Sequence, residues 1–568
     1  MPSVPFEAKR LARATCIFSR DELLSGHSAL RDYGFAVPTE LESPQDYTQQ
    51  SACFDAERYG GIGVGANGGA GRSGSRGRFQ IKGIGRTPLI AATAEVGDFW
   101  HSHGGMSLID AIQEVAWSEI LQVVLPHGAV RTAALLSTGT RCWYEGDGGE
   151  RTTTPRATVV RETAARPAHF MRAPFFRPKA VVELSSDVAR VKQATEQLPT
   201  LLPNMFISSA APDVELISLG LINTATRFAQ QCAAAQSKRL MHGALNASNI
   251  ALDGRWLDFG TATALPTFAN TKSCGASRHF ATLWEEHSRM ERVLEELCFS
   301  VNKYSPAFVK GGGISAASLL QHYRSAYTAA LRGAALDLLG VPRELLRSTV
   351  AEPADRLGSA LVEVMKLGHE RRVESAVPDL AVHGKNIVGA VIRDLARGFE
   401  AAAVAEPSAA LVPTAGLRTR LAAAFSDFSR AMCAEPSATG LSRQSLGRLY
   451  LLGGLKSSRE MPNLYRRNMA ADNRRIVQGC SEPDAIAHAV KCKLLRLVDT
   501  AVMLHSPARH DSVAVWRGQG LAIDYHVRKA MFSGGHTDAA RRFAPSLGGL
   551  VDLGELVAYY GEDCALLR

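Results

Sequence analysis

Two short apolar runs meet at an Asp-Gly dipeptide inside residues 241–265, which have the sequence MHGALNASNIALDGRWLDFGTATAL. An Asp-Gly pair between strand-like runs is a strong signal for a tight hairpin turn. The turn at Asp253-Gly254 therefore predicts a small hairpin, with Asn249 and Asp258 on opposite arms near its open end. There an amide oxygen and a carboxylate can converge on one hard cation, Mg²⁺ or Mn²⁺, whose other ligands are water and phosphate oxygens.

The character of the chain changes near residue 172. Before it, short β-type runs surround one helical segment, 107–123, whose apolar residues recur at helical spacing. Helical patterns dominate afterwards, so we expect an α+β protein with a small β-rich lobe and a larger helical lobe. The predicted divisions are an N-terminal extension that packs on the rest (1–45), the small lobe (46–172), the helical lobe (173–402) and a helical C-terminal region (403–568).

Composition narrows the class of protein. Of the 568 residues, 46% are apolar and 21% are charged, as in ordinary globular proteins. No window has the roughly 18 uninterrupted apolar residues of a membrane-spanning helix, and the N-terminus lacks a signal-peptide core, so we expect a cytoplasmic protein without membrane contact. The net charge of +9 is dispersed rather than gathered in a stripe, which argues against nucleic acid and leaves phosphate-bearing small molecules as partners.

The ten cysteines occur singly, with no Cys-x-x-Cys pair and no zinc-type spacing. We therefore expect reduced thiols. Cys564, close to the C-terminus, is the one candidate for a redox thiol.

A segment rich in glycine and arginine covers residues 60–88, GGIGVGANGGAGRSGSRGRFQIKGIGRTP. Glycines such as Gly71 and Gly83 allow the backbone to approach a phosphate closely and to offer N–H donors, while Arg72 and Arg86 add positive charge. The Walker pattern is absent. The segment predicts a phosphate-binding loop, and the alternative for its first part is an ordinary surface loop.

Lys82 follows this segment on a predicted strand, where a lysine can bind nucleotide phosphates if a helical glutamate holds it. Glu114 and Glu119 on the predicted helix are the candidates. They are five residues apart, so their side chains point about 140° away from each other and only one can face the lysine. We favour Glu114, and the alternative is that either glutamate lies on a solvated face.

Arg161 and Arg166 form a candidate arginine pair in RETAARPAHF. On a continuous strand they would face opposite sides, but a turn at the intervening Ala-Ala would bring both to one anion. Two guanidinium groups suit a triphosphate. The alternative is two independent surface arginines, and the nearby His169 is expected to be structural.

The stretch around His242 also resembles the catalytic segment of protein kinases, with Ala244 at the position of the kinase aspartate. Taken together, the motifs of residues 55–290 resemble the selenoprotein O family, kinase-fold proteins that transfer AMP from ATP to protein hydroxyls. QIKGIGRTP is similar to the family's Q-L-K-G-[AS]-G-R-T-P, and AIQEVAWSEIL to its I-R-E-[FY]-x-x-S-E-[AS]. MHGALNASNIAL resembles H-G-V-[ML]-N-T-D-N-M, and LDFG stands where the family has I-D-[YF]-G.

The resemblance implies a bilobal protein-kinase-like fold, with a helical C-terminal extension, that binds ATP and Mg²⁺. It implies that Lys82 contacts the phosphates and that Glu114 orients it. Asn249 and Asp258 would hold the metal, and the arginine pair would clamp the triphosphate. The family binds its nucleotide turned around relative to kinases, which exposes the α-phosphorus to attack. The acceptor would be a Ser, Thr or Tyr hydroxyl of a protein or peptide.

One departure from the family concerns proton transfer. The family has an aspartate immediately before the metal-binding asparagine, and here that position is Ser248. A hydroxyl cannot accept a proton at neutral pH without a base of its own. Another acid could substitute, or proton transfer could contribute little, since phosphoryl-type transfer rests chiefly on positioning and charge neutralisation. The chain could also be a nucleotide-binding pseudokinase scaffold, or catalyse glutamylation or phosphorylation on the same fold.

Overall fold

The computed structural model describes residues 1–532, except for 62, 98, 146–148, 180–183, 185, 204–211, 270–281, 342–345, 347, 370–385, 401–403, 435–442, 459–460, 506–513, 519–520 and 525–528. It confirms a mixed α+β architecture, with an antiparallel sheet of eight strands in the N-terminal part and a mostly helical C-terminal part. Cys564 lies outside the described residues.

The strands of the main sheet come from the first 162 residues. They are β1 (Ser3–Leu11), β2 (Thr15–Ser19), β3 (Phe35–Ala36), β4 (Tyr47–Glu57), β5 (Ser73–Arg76), β6 (Phe79–Lys82), β7 (Thr132–Glu145) and β8 (Arg151–Glu162). Their spatial order is β2-β7-β8-β6-β5-β4-β1-β3, and each neighbouring pair is antiparallel. All four side chains of β6 are buried, because this strand lies in the interior of the sheet.

The first 45 residues belong to this sheet. β1 pairs with β4 from Ser3–Glu57 to Leu11–Tyr47, and β2 pairs with β7. The first 45 residues therefore supply three strands of this sheet, and the division near residue 45 stays a prediction. The local pattern of these residues does not reveal the pairing, because a strand is completed by hydrogen bonds to partners far along the chain.

Four helices accompany these strands: α1 (Gly26–Tyr33), α2 (Ala92–Gly97), α3 (Phe99–Ser102) and α4 (Leu108–Val124). The last of them matches the predicted helix to within one residue. Ser107 caps its N-terminus, accepting a hydrogen bond from the backbone N–H of Asp110 at 2.9 Å. Most side chains of α4 are buried, whereas Asp110, Gln122 and Val123 are exposed, so the helix is covered over most of its surface. It packs against β7 and β8 and against two helices of the C-terminal region.

Helices dominate the rest of the described chain. They are α5 (Asp187–Glu196), α6 (Leu198–Leu201), α7 (Asp213–Ser237), α8 (Glu286–Tyr304), α9 (Pro306–Lys310), α10 (Ala316–Asp337), α11 (Ala351–His369), α12 (Ile387–Glu400), α13 (Ala415–Ala434), α14 (Arg443–Ser458), α15 (Arg466–Gly479) and α16 (Pro483–His505). Between α7 and α8, β9 (Leu240–Met241) pairs with β10 (Thr263–Ala264). The C-terminal region also contains an antiparallel sheet of β11 (Ala514–Gly518), β12 (Leu521–Asp524) and β13 (Lys529–Phe532). Among the described helices, none has the length and apolarity needed to cross a membrane.

Candidate functional site

Lys82, the last residue of β6, lies between two carboxylates. Its side chain is only 3% exposed, and Nζ donates to Glu114 Oε2 at 3.0 Å. The same ammonium group forms an ion pair with Asp258 Oδ1. The structure therefore brings together three of the predicted residues: Lys82 of the sheet, Glu114 of α4 and Asp258 near the predicted hairpin.

Glu114 is the centre of this arrangement. Besides Lys82, its carboxylate accepts from Arg161 Nη1 at 3.1 Å and from the backbone N–H of Phe259 at 3.0 Å. Glu119, the other candidate, faces away and pairs with Arg20. The helical geometry that allowed only one glutamate to face Lys82 thus agrees with the contacts observed.

The predicted turn forms at Asp253-Gly254, although its arms are too short to count as strands. Ile250 and Trp256 make a single antiparallel bridge, and the backbone N–H of Leu257 donates to the carbonyl of Asn249 at 3.1 Å. This pairing places Asn249 directly beside the residue that precedes Asp258. Two expected metal-binding residues are therefore neighbours across the turn.

The side chains of Asn249 and Asp258 present oxygen atoms. Asn249 Nδ2 donates to the carbonyl of Ala244 at 2.9 Å, which fixes the amide orientation and leaves Oδ1 as an acceptor. Asp258 has a left-handed backbone (φ +71°), uncommon for a residue with a side chain, and 36% of its side chain is exposed. Burial opposes ionisation of Asp258, but the positive charges of Lys82, Arg161 and Arg72 outweigh it and lower the pKa.

These oxygens fit a hard divalent cation such as Mg²⁺, which prefers carboxylate and carbonyl ligands and keeps several waters or phosphate oxygens. Within the described residues, no group of three or more His, Cys, Asp or Glu side chains forms a metal-binding cluster. A cation at Asn249 and Asp258 would therefore take most of its ligands from water and from a bound phosphate.

Arg161 and Arg166 converge on one oxygen atom. Arg161 donates to Gln80 Oε1 through Nε at 3.1 Å and Nη2 at 2.8 Å, and Arg166 Nη2 reaches the same oxygen at 3.1 Å. Both arginines are buried, and Arg166 Nε is a buried nitrogen without a hydrogen-bond partner. Burial and the neighbouring charge of Arg166 lower the pKa of Arg161. The two guanidinium groups share one neutral oxygen, and Arg161 also pairs with the carboxylate of Glu114. Because Arg166 has no such close carboxylate among the described residues, the two groups form a cationic pocket that an anion would stabilise.

Three further residues support this pocket and were not identified from the sequence. Gln80 Nε2 donates to Glu57 Oε2 at 3.0 Å, and the ring of Tyr59 lies 5.1 Å from the Arg166 guanidinium. Burial would raise the pKa of Glu57, but His169 and Arg166 lower it to about 2. His169 is fully buried beside Glu57, which agrees with the expected structural role. Strand alternation could have revealed Gln80, because it is two residues from Lys82 on one strand.

The backbone N–H groups of Gly71 and Gly83 both donate to carbonyl groups of the chain, so neither is a free donor in this structure. The backbone N–H of Gly83 donates to the carbonyl of Arg72 at 2.9 Å, and that of Gly71 donates to Gly69 at 2.8 Å. Gly83 has φ +86°, and a Cβ there would lie 2.7 Å from Met106 Cβ. Its N–H is therefore already engaged in holding the turn after β6.

The two arginines of the glycine-rich segment differ in position. Arg72 acts electrostatically on Asp258 and donates to the carbonyl of Gly105 at 3.5 Å. Arg86 contacts the carbonyl of Ser102 at 3.0 Å and approaches Glu40 at 4.0 Å. None of these Arg86 contacts is with the residues around Lys82, so its predicted role at the phosphates gains no geometric support.

Ser248 is buried beside Asn249, but its hydroxyl has no strong base. Oγ donates to Asn246 Oδ1 at 2.7 Å and lies 3.2 Å from Asn249 Oδ1. Its carbonyl accepts from Arg166 Nη1 at 3.2 Å. Within the described part of the chain, no carboxylate makes a hydrogen bond with this hydroxyl.

Glu286, at the start of α8, holds the beginning of the same segment. Its carboxyl group accepts from the backbone N–H groups of His242 at 3.2 Å and Gly243 at 2.6 Å. Burial raises the pKa of Glu286 to about 8. No local pattern could predict this contact, because 43 residues separate Glu286 from Gly243.

The arrangement therefore consists of a buried lysine between two carboxylates, an arginine pair with one unused donor, and two oxygen ligands beside a short turn. No protein-family model matches the chain, and no curated protein matches its sequence.

Proposed function

We propose that the chain is a divergent member of the selenoprotein O family, with a kinase-like bilobal arrangement, and that it transfers AMP from ATP to a hydroxyl group of a protein or peptide. The observation that carries the proposal is the position of Lys82. Its ammonium group lies between Glu114 and Asp258, and Glu114 also binds Arg161 of the arginine pair. Ammonium and guanidinium groups around one acidic centre are the usual means of binding a polyphosphate.

In this proposal the cationic side chains neutralise the triphosphate. Lys82 would exchange part of its contact with Asp258 for phosphate oxygens, and Arg166 has a buried Nε that can donate to one of them. Asn249 and Asp258 would hold Mg²⁺, which supplies positive charge between the phosphate groups. The acceptor hydroxyl would attack the α-phosphorus and release its proton to solvent water. The bond between that phosphorus and the oxygen bridging to the β-phosphate would break, and pyrophosphate would leave with its charge compensated by these residues.

A second candidate function is nucleotide binding without turnover, as in a pseudokinase scaffold. The environment of Ser248 favours it, because the hydroxyl donates to Asn246 rather than to a carboxylate. Phosphorylation is less well supported, since Ala244 occupies the position of the kinase aspartate. Glutamylation through an acyl-adenylate would use the same nucleotide contacts. With ATP labelled at the α-phosphate it would release labelled AMP, whereas AMP transfer would leave the label on the protein.

Parallel incubations with ATP labelled at the α- or the γ-phosphate test these alternatives. Protein label from the α position alone supports AMP transfer, and label from the γ position alone would make the chain a kinase. Release of labelled AMP without protein label would point to transfer through an acyl-adenylate, and binding of MgATP with neither labelled AMP nor labelled protein would favour the scaffold. Lys82→Ala should abolish any label, whereas Lys9→Ala, at an exposed position of β1, should retain it. Label that persists in Lys82→Ala would place the active site elsewhere.

A substitution at Ser248 tests whether proton abstraction limits the rate of AMP transfer. Ser248→Asp places a carboxylate beside Asn249, so we expect a higher rate of AMP transfer than in the unaltered chain. The initial rate at saturating MgATP is the measurement. An unchanged or lower rate would mean that proton abstraction does not limit the reaction.

A further inference from the structure

The C-terminal helices α15 and α16 lie against α4, the helix that carries Glu114. They belong to the region to which the sequence assigned no role. Helix α4 therefore has the main sheet and these two helices as its neighbours.

Arg466, the first residue of α15, contacts the segment that follows Asp258. Its Nε donates to the carbonyl of Gly260 at 2.9 Å, and its backbone N–H donates to Thr263 Oγ1 at 3.0 Å. Gln113 of α4 reaches the same Gly260 carbonyl at 3.3 Å. The backbone two residues after Asp258 is thus held from α4 and from the C-terminal region at once.

Asn473, near the middle of α15, makes a second connection. Its Nδ2 donates to the carbonyl of Ile109 in the first turn of α4 at 2.9 Å, and its Oδ1 accepts from Lys493 Nζ at 2.6 Å. Both side chains are buried. A buried chain of hydrogen bonds therefore runs from α16 through α15 to the backbone of α4.

We propose that Arg466 and Asn473 are positioning residues for the nucleotide site, because they hold Asp258 and Glu114 in place through the carbonyls of Gly260 and Ile109. The inference rests on the proposed function for the site itself. Neither residue touches the cluster around Lys82, so each acts through the backbone it holds. Loss of either hydrogen bond should weaken nucleotide binding more than it weakens the fold.

Two variants separate positioning from stability. Arg466→Ala removes an exposed side chain, and Arg467→Ala, at the next and equally exposed residue, is the matched control. Asn473→Asp keeps an acceptor for Lys493 but loses the donor to Ile109. We expect Arg466→Ala and Asn473→Asp to raise the Kd for MgATP about tenfold, as for residues that orient a metal site. Arg466→Lys, which retains a donor, should recover part of the affinity.

Isothermal titration with MgATP and the thermal unfolding midpoint are measured on the full chain for each variant. The inference is supported if Arg466→Ala has a higher Kd for MgATP than Arg467→Ala while the two variants have the same unfolding midpoint. If the unaltered chain binds MgATP and Arg466→Ala binds it no more weakly than Arg467→Ala, the positioning role is refuted while the nucleotide site stands. Absence of binding by the unaltered chain would overturn the proposed site, and this inference with it.

Discussion

Replacing Glu114 with glutamine tests the centre of the site. The carboxylate accepts from Lys82 at 3.0 Å, Arg161 at 3.1 Å and the Phe259 N–H at 3.0 Å, and its side chain is 4% exposed. Glutamine preserves the volume but removes the charge and places an NH₂ group against a cationic donor. Removing one partner of a buried ion pair typically costs about 3–5 kcal/mol.

The substitution breaks two buried ion pairs, with Lys82 and with Arg161, but the remaining partners of both cations limit its cost. Lys82 retains its ion pair with Asp258, and Arg161 retains two hydrogen bonds to Gln80. Neither cation is therefore left without an acceptor. We expect the free energy of unfolding of Glu114→Gln to fall by about 3–5 kcal/mol rather than by twice that amount.

Glu119→Gln is the control, because it makes the same change on the same helix. Its partner Arg20 is 26% exposed and Glu119 itself is 15% exposed, so water screens this pair more strongly. We expect a loss of about 1 kcal/mol or less. The assay is urea denaturation followed by far-ultraviolet circular dichroism. If Glu114→Gln costs no more than Glu119→Gln, the cluster around Lys82 does not form as described.

Three further changes test other parts of the site. Arg166→Met removes one guanidinium group of the pocket, so the Kd for MgATP should rise about tenfold or more in a titration, and an unchanged Kd would exclude phosphate from this pocket. Gly83→Ala forces a side chain onto φ +86° within 2.8 Å of the Ala157 carbonyl and should lower the free energy of unfolding by roughly 2–4 kcal/mol in urea. Folded Glu286 keeps its proton up to pH about 8, whereas the unfolded chain releases it near its ordinary pKa of 4.5. The free energy of unfolding should therefore fall as pH rises between these values, by up to about 1.4 kcal/mol per pH unit, and a Glu286→Gln variant with the same decline would contradict this.

The parts of the site that the sequence predicted depend on local geometry. The Asp253-Gly254 dipeptide predicted a turn because few other sequences favour one so strongly, and the turn does place Asn249 beside the segment of Asp258. Glu114 was predicted as the partner of Lys82 because residues five apart on a helix point in different directions, so Glu114 and Glu119 cannot both face the lysine. Both inferences involve residues within one element or two adjacent ones, where spacing along the chain determines position in space.

The remaining features arise from contacts between distant segments. Glu57 and Gln80 are 23 residues apart, and Asn473 and Ile109 are 364 apart. Neither pair has a periodicity or spacing that could indicate it. The same applies to β1, whose partner β4 begins 36 residues after β1 ends. Hydrogen-bonding groups on such residues match several possible partners, so only the complete fold selects among them.

The buried charges of this site stabilise the folded chain less than apolar side chains of similar volume would. Lys82, Arg161 and Arg166 are each at most 4% exposed, and they lie among the carboxylates of Glu57, Glu114 and Asp258. Apolar side chains of similar volume often stabilise a protein more than a buried ion pair does, because removing charges from water outweighs much of their attraction. Arg166 Nε adds a further cost, since it is buried without an acceptor. A bound polyphosphate would supply that acceptor and would add negative charge beside the arginine pair, whose carboxylate neighbours are Glu114 and Glu57. This energetic cost in the free site therefore supports the proposal that these residues bind a ligand.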